Sequence, residues 1–218
     1  MSKTAILLGA TGLTGSYLLE RLLKDPDCSN IIIFGRSSVN VSDPKIEEHL
    51  IDMFELEQHG ETFKGDVVFC CIGTTKAKTP DTETYRKIDY GIPVTAAKLS
   101  KKNGIERFIV VSALGADVDS RIFYNKVKGE MERDVLQQNI SNTYILQPSL
   151  IGGEREEKRT GERIAKFFAG LFDFLIPKKY KMIHPNNIAN AMHYLAKNNF
   201  AEKRVSSADL RDLAKKPS

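Results

Sequence analysis

The chain has 218 residues, of which 41% are hydrophobic and 28% charged, a balance that excludes a disordered or fibrous protein. Its formal charge of +4 is modest, and acidic residues separate its scattered lysines, which argues against a nucleic-acid-binding surface. The three cysteines follow neither a disulfide framework nor metal-ligand spacing. We therefore predict buried structural thiols and no metal site.

The first apolar run, residues 5–8, is too short for a signal peptide or a membrane span. On this basis we expect a cytoplasmic protein without stable membrane insertion. 

Short apolar runs rich in β-branched residues alternate along the chain with segments of helical periodicity. Strands are predicted at Thr4–Leu8, Asn30–Phe34, His49–Met53, Asp66–Ile72, Arg107–Ser112 and Thr143–Gln147. Helices are predicted at Ser16–Lys24, Thr82–Asn103, Phe123–Gln138, Gly161–Leu175 and Asn187–Lys197. This alternation predicts an α/β fold with a doubly wound parallel sheet and helices on both faces. We expect residues 1–218 to form a single domain in which residues 152–180 build a small C-terminal cap on the substrate side.

A glycine-rich turn follows the first strand and opens the first helix, where a Rossmann-like fold places its dinucleotide-binding turn. A side chain at these glycines would block the tight turn or the approach of a pyrophosphate, and the helix N-terminus offers N–H groups to the anion. The spacing G-x-x-G-x-x-G is typical of extended and atypical short-chain reductases. The predicted cofactor-binding residues of this turn are Gly9, Thr11, Gly12, Leu13, Thr14 and Gly15.

The second predicted strand ends at Gly35-Arg36-Ser37, where an NAD-selective protein usually carries a carboxylate for the ribose 2′-hydroxyl. No carboxylate is present at this point. Arg36 is suited to pair with a 2′-phosphate, with Ser37 as a hydrogen-bond donor. The pattern favours NADP(H) over NAD(H), with a solvated surface arginine as the alternative interpretation of Arg36.

Tyr124 and Lys128 are four residues apart on a predicted helix and share one face, while Ser112 closes the fifth predicted strand. Hydride transfer to a carbonyl carbon needs a proton for the developing alkoxide, and an ordinary tyrosine is a reluctant donor near neutral pH. Lys128 is expected to lower the pKa of Tyr124, and the Ser112 hydroxyl to polarise the carbonyl. The alternative is a packed tyrosine beside a solvated lysine.

With these elements assembled, the chain resembles the atypical short-chain dehydrogenases/reductases, in a branch that includes oxidoreductase-like regulators. The most specific stretches are residues 8–12, 35–36, 69–75, 112–117 and 124–130. The resemblance implies that Gly73 and Thr74 lie against the cofactor's ribose and pyrophosphate, and that Asp52 lies near its adenine. One departure is Ala113, where relatives often carry a second serine.

These observations favour an NADPH-dependent reductase that transfers hydride to a small carbonyl or quinone-like substrate. A non-catalytic NADP(H)-sensing protein that changes partners with cofactor occupancy is the alternative. Sugar-nucleotide epimerisation ranks last, because it normally demands a larger C-terminal substrate domain. Neither the substrate nor the oligomeric state follows from the sequence.

Overall fold

A computed structural model describes residues 3–152 and 181–217 of the chain. The strands in these ranges are β1 (Lys3–Leu8), β2 (Cys28–Gly35), β3 (Ile46–Leu50), β4 (Val67–Cys70), β5 (Arg107–Val111), β6 (Asn142–Gln147) and β7 (Arg204–Ser206). They form one parallel sheet in the order β3-β2-β1-β4-β5-β6-β7. This is the doubly wound Rossmann-like arrangement that the sequence predicts.

The described helices cover both faces of this sheet. They are α1 (Leu13–Lys24), a 3₁₀ helix (Met53–His59), α2 (Thr82–Arg86), a π turn (Lys87–Gly91), α3 (Ile92–Lys102), α4 (Phe123–Leu136), α5 (Pro185–Lys197) and α6 (Ser207–Leu213). Alternate residues of the strands point to opposite faces, so the sheet separates two apolar clusters. Leu18, Met192 and Leu210 pack on one face, and Leu99 and Met131 on the other.

The strand order reverses between β1 and β4. From β1 the order continues outward to β2 and β3, whereas from β4 it continues in the other direction to β5 and β6. In open α/β sheets a ligand binds at such a switch point, at the carboxyl ends of the strands. Gly9 follows β1 and Cys71 follows β4 at this point, and the Cys71 N–H donates to the Leu8 carbonyl at 2.9 Å. The fold therefore places the glycine-rich turn where a ligand crevice is expected.

Most predicted elements are confirmed to within a few residues, with three corrections. The third strand begins and ends three residues earlier than the predicted His49–Met53. The predicted helix Thr82–Asn103 is broken into α2, a π turn and α3. The predicted elements include neither β7, which completes one edge of the sheet, nor α6, the helix that follows it. The predicted helix Gly161–Leu175 and nearly all of the expected cap lie outside the described residues.

Candidate functional site

The glycine-rich turn is closed too tightly for side chains at two of its three glycines. Gly9 has a φ of +83°, and a Cβ there would lie 2.9 Å from the Cys71 carbonyl carbon. A Cβ on Gly15 would lie 2.0 Å from the Gly9 carbonyl oxygen. Because both obstacles are backbone atoms, neither can move aside without opening the turn. Gly12 is less constrained, with 3.1 Å between a built Cβ and the Gly9 oxygen.

The N-terminus of α1 has the features of an anion site. The N-cap is Gly12, which has no side chain that could accept from the first N–H groups, and the first turn contains no acidic residue. Helix N-terminal N–H groups and the helix dipole favour a phosphate at such an end. Thr11 and Leu13 are exposed beside it, and Thr14 is buried under the turn. These residues fit a dinucleotide pyrophosphate at the switch point.

The residues predicted for the adenosine end follow β2 and β3. Arg36 and Ser37 are exposed just beyond β2. Ser38 is committed elsewhere, since its hydroxyl donates to Glu48 Oε2 at 2.8 Å. Asp52 is exposed after β3 and caps the 3₁₀ helix, because its Oδ1 accepts from the Phe54 N–H at 2.9 Å. Arg36 thus has an exposed side chain just beyond β2, whereas Asp52 already has a structural role as a helix cap.

The loop after β4 carries Gly73 and Thr74. The Thr74 N–H donates to Asp89 Oδ2 at 2.8 Å, and the Thr74 carbonyl accepts from the Tyr85 hydroxyl at 3.2 Å. A Cβ built on Gly73 would lie 3.5 Å from Asp89 Oδ1 and 3.9 Å from Lys128 Nζ. The loop that the resemblance assigns to the cofactor therefore lies beside the predicted catalytic lysine.

Lys128 lies inside the protein rather than on its surface. Its side chain is 4% exposed, and Nζ is 3.0 Å from Asp89 Oδ1 and 3.4 Å from the Val111 carbonyl oxygen. Burial lowers the pKa of Lys128, but the neighbouring Asp89 carboxylate outweighs it, and the pKa is raised above that of an ordinary lysine. The ammonium is therefore charged throughout the neutral range.

Tyr124 is 38% exposed at the N-terminal end of α4, with its ring edge-on to Tyr85 at 6.4 Å between centroids. Burial of the phenol raises the pKa of Tyr124, Lys128 lowers it and Asp89 raises it. Lys128 acts in the predicted direction, but the expectation of a lowered pKa is wrong for this structure, because burial outweighs the ammonium. Tyr124 is consequently a protonated hydroxyl at neutral pH.

The third predicted catalytic residue, Ser112, has its hydroxyl in a different group. Ser112 is 3% exposed, and its Oγ donates to Glu132 Oε1 at 2.6 Å. Gln147 Nε2 donates to the same oxygen at 2.9 Å, and Arg204 Nε donates to Glu132 Oε2 at 2.8 Å. The structure thus brings Tyr124 and Lys128 together, and turns the Ser112 hydroxyl into a buried network around Glu132. The predicted polarisation of a carbonyl by Ser112 does not fit this arrangement.

The sequence analysis missed two buried carboxylates, Asp89 and Glu132. Glu132 had a signal, because Tyr124, Lys128 and Glu132 are spaced four residues apart and share one face of α4. Asp89 follows Tyr85 at the same interval, but nothing in the local pattern distinguishes it from a solvated acidic residue. Its role depends on the contact between the π turn and α4.

The thiols and histidines have structural environments. Cys28 and Cys70 are buried and Cys71 is partly buried, all three as free thiols, and burial raises the pKa of Cys70 to about 11. His184 caps α5, and His193 pairs with Asp25 at 2.7 Å. Within residues 3–152 and 181–217, no three His, Cys, Asp or Glu side chains are grouped to hold a metal ion. No helix in these ranges is long and apolar enough to cross a membrane.

Comparison with known families supports the nucleotide-binding interpretation. Residues 9–168 match a family described as NAD(P)H-binding. The chain is 32% identical to Protein HTATIP2 of Rattus norvegicus over 177 residues, which covers 79% of this chain and 73% of the relative. It is also 32% identical to the mitochondrial Protein FMP52 of Candida albicans over 169 residues, covering 75% and 74% of the two chains.

Solved structures share the fold at low sequence identity. The MoeE5 protein in complex with UDP-glucuronic acid and NAD aligns over 92% of this chain and 74% of its own, with a TM-score of 0.69 and 16% identity. A UDP-glucose 4-epimerase from Thermotoga maritima aligns over 97% and 81%, with a TM-score of 0.69 and 14% identity. These likenesses establish the Rossmann-like fold alone. The family match and the two relatives show that the chain belongs to the NAD(P)H-binding family, among the atypical short-chain dehydrogenases/reductases.

Proposed function

We propose that this protein binds NADP(H) at the β1–α1 turn and transfers hydride between NADPH and a small carbonyl or quinone-like substrate. The observation that carries the proposal is the continuity of the site from the turn to the tyrosine. Gly9 lies against the backbone of Cys71, Gly73 lies beside Lys128, and Lys128 is one helical turn from Tyr124. This series of neighbouring residues supports one site that joins the proposed phosphate-binding turn to the proposed proton donor.

When bound, the nicotinamide supplies the hydride. The remaining chemistry is a proton transfer, for which Tyr124 is the proposed general acid toward the developing alkoxide oxygen. Lys128, charged and buried beside it, would stabilise the tyrosinate that forms and would donate to the nicotinamide ribose when the cofactor is bound. Ser112 is assigned to holding Glu132 rather than to the substrate, because its proton is already donated.

The proposed preference for NADP(H) rests on Arg36. A guanidinium at the end of β2 suits the dianionic 2′-phosphate, to which it can donate two parallel hydrogen bonds. Glu48, on the neighbouring strand β3, accepts hydrogen bonds from the Ser38 hydroxyl and the Val39 N–H, both at 2.8 Å. It is therefore not oriented as a ribose acceptor of the kind that selects NAD.

The test of the cofactor proposal is a titration of wild type and Arg36→Ala with NADPH and NADH, followed by nicotinamide fluorescence. Removal of a charge-assisted bond to the 2′-phosphate should weaken NADPH binding about 10- to 100-fold and leave NADH binding nearly unchanged. Arg133→Ala is the matched control, because Arg133 is an exposed arginine on α4 that pairs with Asp134. Binding of neither nucleotide by the wild type would refute the proposal.

A second candidate function is NADP(H) sensing without turnover. It is favoured by one arrangement in particular: Ser112 is bound to Glu132, and Lys128 is paired with Asp89. The Ser112 hydroxyl and the Lys128 ammonium then hold neighbouring elements together instead of acting on a substrate. The nucleotide would act as a ligand that stabilises one conformation.

Tyr124→Phe separates the two candidates. If Tyr124 is the proton donor, the variant should bind NADPH like the wild type and lose roughly 100-fold or more of its turnover of a panel of aldehydes, ketones and quinones. Tyr90→Phe is the control, since the Tyr90 hydroxyl donates to Asp134 at 2.6 Å, away from Tyr124. Equal turnover by wild type and Tyr124→Phe would exclude the tyrosine mechanism, and no turnover by either would favour sensing.

The proposed compartment is the cytoplasm, and the proposed partner is the small-molecule substrate. The name of the Candida albicans relative places that protein in mitochondria. Imaging of the full chain carrying a C-terminal tag distinguishes the two compartments.

A further inference from the structure

We propose that Asp89 is a positioning residue that keeps the Lys128 ammonium charged and joins it to the Gly73–Thr74 loop. Its importance for turnover rests on the proposed function, but the charge state of Lys128 can be measured without any cofactor. Asp89 is 1% exposed and its two carboxylate oxygens face different elements. Oδ2 accepts from the Thr74 N–H at 2.8 Å, and Oδ1 lies 3.0 Å from Lys128 Nζ.

The contact between Asp89 and Lys128 is an ion pair rather than an aligned hydrogen bond. In the described part of the chain, Oδ1 has no hydrogen-bond donor in good geometry, although the ammonium lies 3.0 Å away. Both side chains are nearly excluded from solvent, at 4% and 1% exposure. Because an isolated buried charge is costly, the Lys128 ammonium needs a counter-ion at this place, and Asp89 is positioned to supply it.

The π turn is what brings Asp89 to this place. The Ile92 N–H donates to the Lys87 carbonyl, five residues back, so the chain is wider here than in an α-helix. The turn directs Asp89 between the loop after β4 and helix α4. A single carboxylate thereby fixes the spacing between the proposed nicotinamide-side loop and the proposed catalytic lysine.

The other groups that face Lys128 cannot replace Asp89 as its counter-ion. Tyr124 on α4 and the Cys70 thiol at the end of β4 both interact with Lys128, but each is a weak acid. Burial raises the pKa of both, to about 11 for Cys70, so both are uncharged at neutral pH. The Val111 carbonyl on β5 contributes only a dipole, at 3.4 Å. Among residues 3–152 and 181–217, Asp89 is therefore the anion on which the charge of Lys128 depends.

The direct test is a pH titration of Lys128 by NMR in the cofactor-free full chain with isotope-labelled lysine, in which the Lys128 signal is assigned by its loss in Lys128→Arg. In the wild type the Lys128 ammonium should keep its proton above the pH range in which an ordinary lysine loses it. Asp89→Asn removes the charge and retains an oxygen for the Thr74 N–H. The Lys128 midpoint should then fall by about one to three pH units.

The control is Asp134→Asn, which removes a partly buried carboxylate of α4 that bonds Tyr90 and Arg133. It should leave the Lys128 midpoint unchanged. An unchanged midpoint in Asp89→Asn would overturn the proposal.

In parallel, NADPH affinity is measured as a function of pH. As the pH rises above neutral, Asp89→Asn should begin to lose NADPH affinity at a lower pH than the wild type. A wild type that binds no NADPH would refute the proposed function alone, because the NMR result stands apart from it.

A stability measurement covers the case in which Asp89→Asn does not fold well enough for NMR. Asp89→Asn leaves Lys128 buried without a counter-ion, whereas Asp89→Asn combined with Lys128→Met removes both charges. The double variant should have a higher thermal midpoint than Asp89→Asn alone. A double variant that is no more stable than the single variant would overturn the pairing.

Discussion

Gly15 lies where helix α1 passes closest to the end of strand β1. A Cβ on this residue would meet three backbone atoms, at 2.0 Å from the Gly9 oxygen, 2.8 Å from the Gly9 carbon and 3.0 Å from the Ala10 Cα. Backbone atoms at the end of a buried strand cannot rotate aside as a flexible side chain can. The nucleotide-binding turn therefore depends on the absence of a single methyl group.

We expect Gly15→Ala to destabilise the protein by about 1–3 kcal/mol, because the turn must open to admit the methyl group. NADPH binding should weaken as well, because the N-terminus of α1 moves. Chemical denaturation and nucleotide titration measure the two effects. Gly91→Ala is the control, since a Cβ there meets nothing within 4 Å and alanine suits the helical backbone. A Gly15→Ala protein as stable as the wild type would contradict the assigned close contact.

At the residue scale, spacing alone predicted which side chains would share a face, and it succeeded for Tyr124 and Lys128. It did not predict their charge environment. The oppositely charged partner of Lys128 is Asp89 on the π turn, and the hydrogen-bond partner of Ser112 is Glu132, four residues after Lys128 on α4. Electrostatics of this kind depend on contacts between elements far apart in sequence, which one strand or helix does not encode.

At the element scale, the break within the predicted helix Thr82–Asn103 has a local cause. Pro93 has no N–H, and its ring would clash with the carbonyl of the residue four positions earlier in a regular α-helix, which is Asp89. The chain responds with the π turn just before α3, where Pro93 is accommodated in the first turn. The proline was visible in the sequence, so the break in the helix could have been predicted, although the contact between Asp89 and Lys128 could not.

The remaining errors occur at the two edges of the sheet. Strand β3 has no fully buried residue, so its sequence carries little apolar signal, and its register comes from pairing with β2. Strand β7 has three residues, of which Val205 alone is buried. Central strands of a parallel sheet are buried on both faces and stand out as apolar runs, whereas short edge strands are defined by their neighbours.

At the scale of the whole molecule, one buried cluster joins the first and last parts of the fold. Asp25, just after α1, lies 2.7 Å from His193 Nε2 and 2.8 Å from Lys197 Nζ, both on α5. Burial raises the pKa of Asp25, but hydrogen bonds from Lys197 and His193 outweigh it and lower the pKa to about 2. The cluster lies near the amino ends of the strands, opposite the proposed nucleotide site, so it can be changed without altering that site.

This cluster predicts how stability depends on pH. The pKa of Asp25 is lower in the folded protein than its ordinary 3.8, so the ionised carboxylate stabilises the fold above about pH 4. That contribution, about 2 kcal/mol, is lost as the pH falls toward 2. Asp25→Asn should therefore be less stable than the wild type at pH 7 by about this amount, and the difference should shrink in acid. Denaturant unfolding at pH 7, 4 and 2 measures it.

The matched control is Asp27→Asn. Asp27 contacts the same Lys197 ammonium at 2.9 Å, but its side chain is 60% exposed, and exposed ion pairs contribute little to stability. If Asp27→Asn and Asp25→Asn destabilise the protein equally, burial of the Asp25 carboxylate is not what gives the cluster its strength. If only Asp25→Asn is destabilised and its NADPH binding is unchanged, the contact between Asp25 and helix α5 stabilises the fold independently of the nucleotide site. Its position at the other end of the sheet predicts this result.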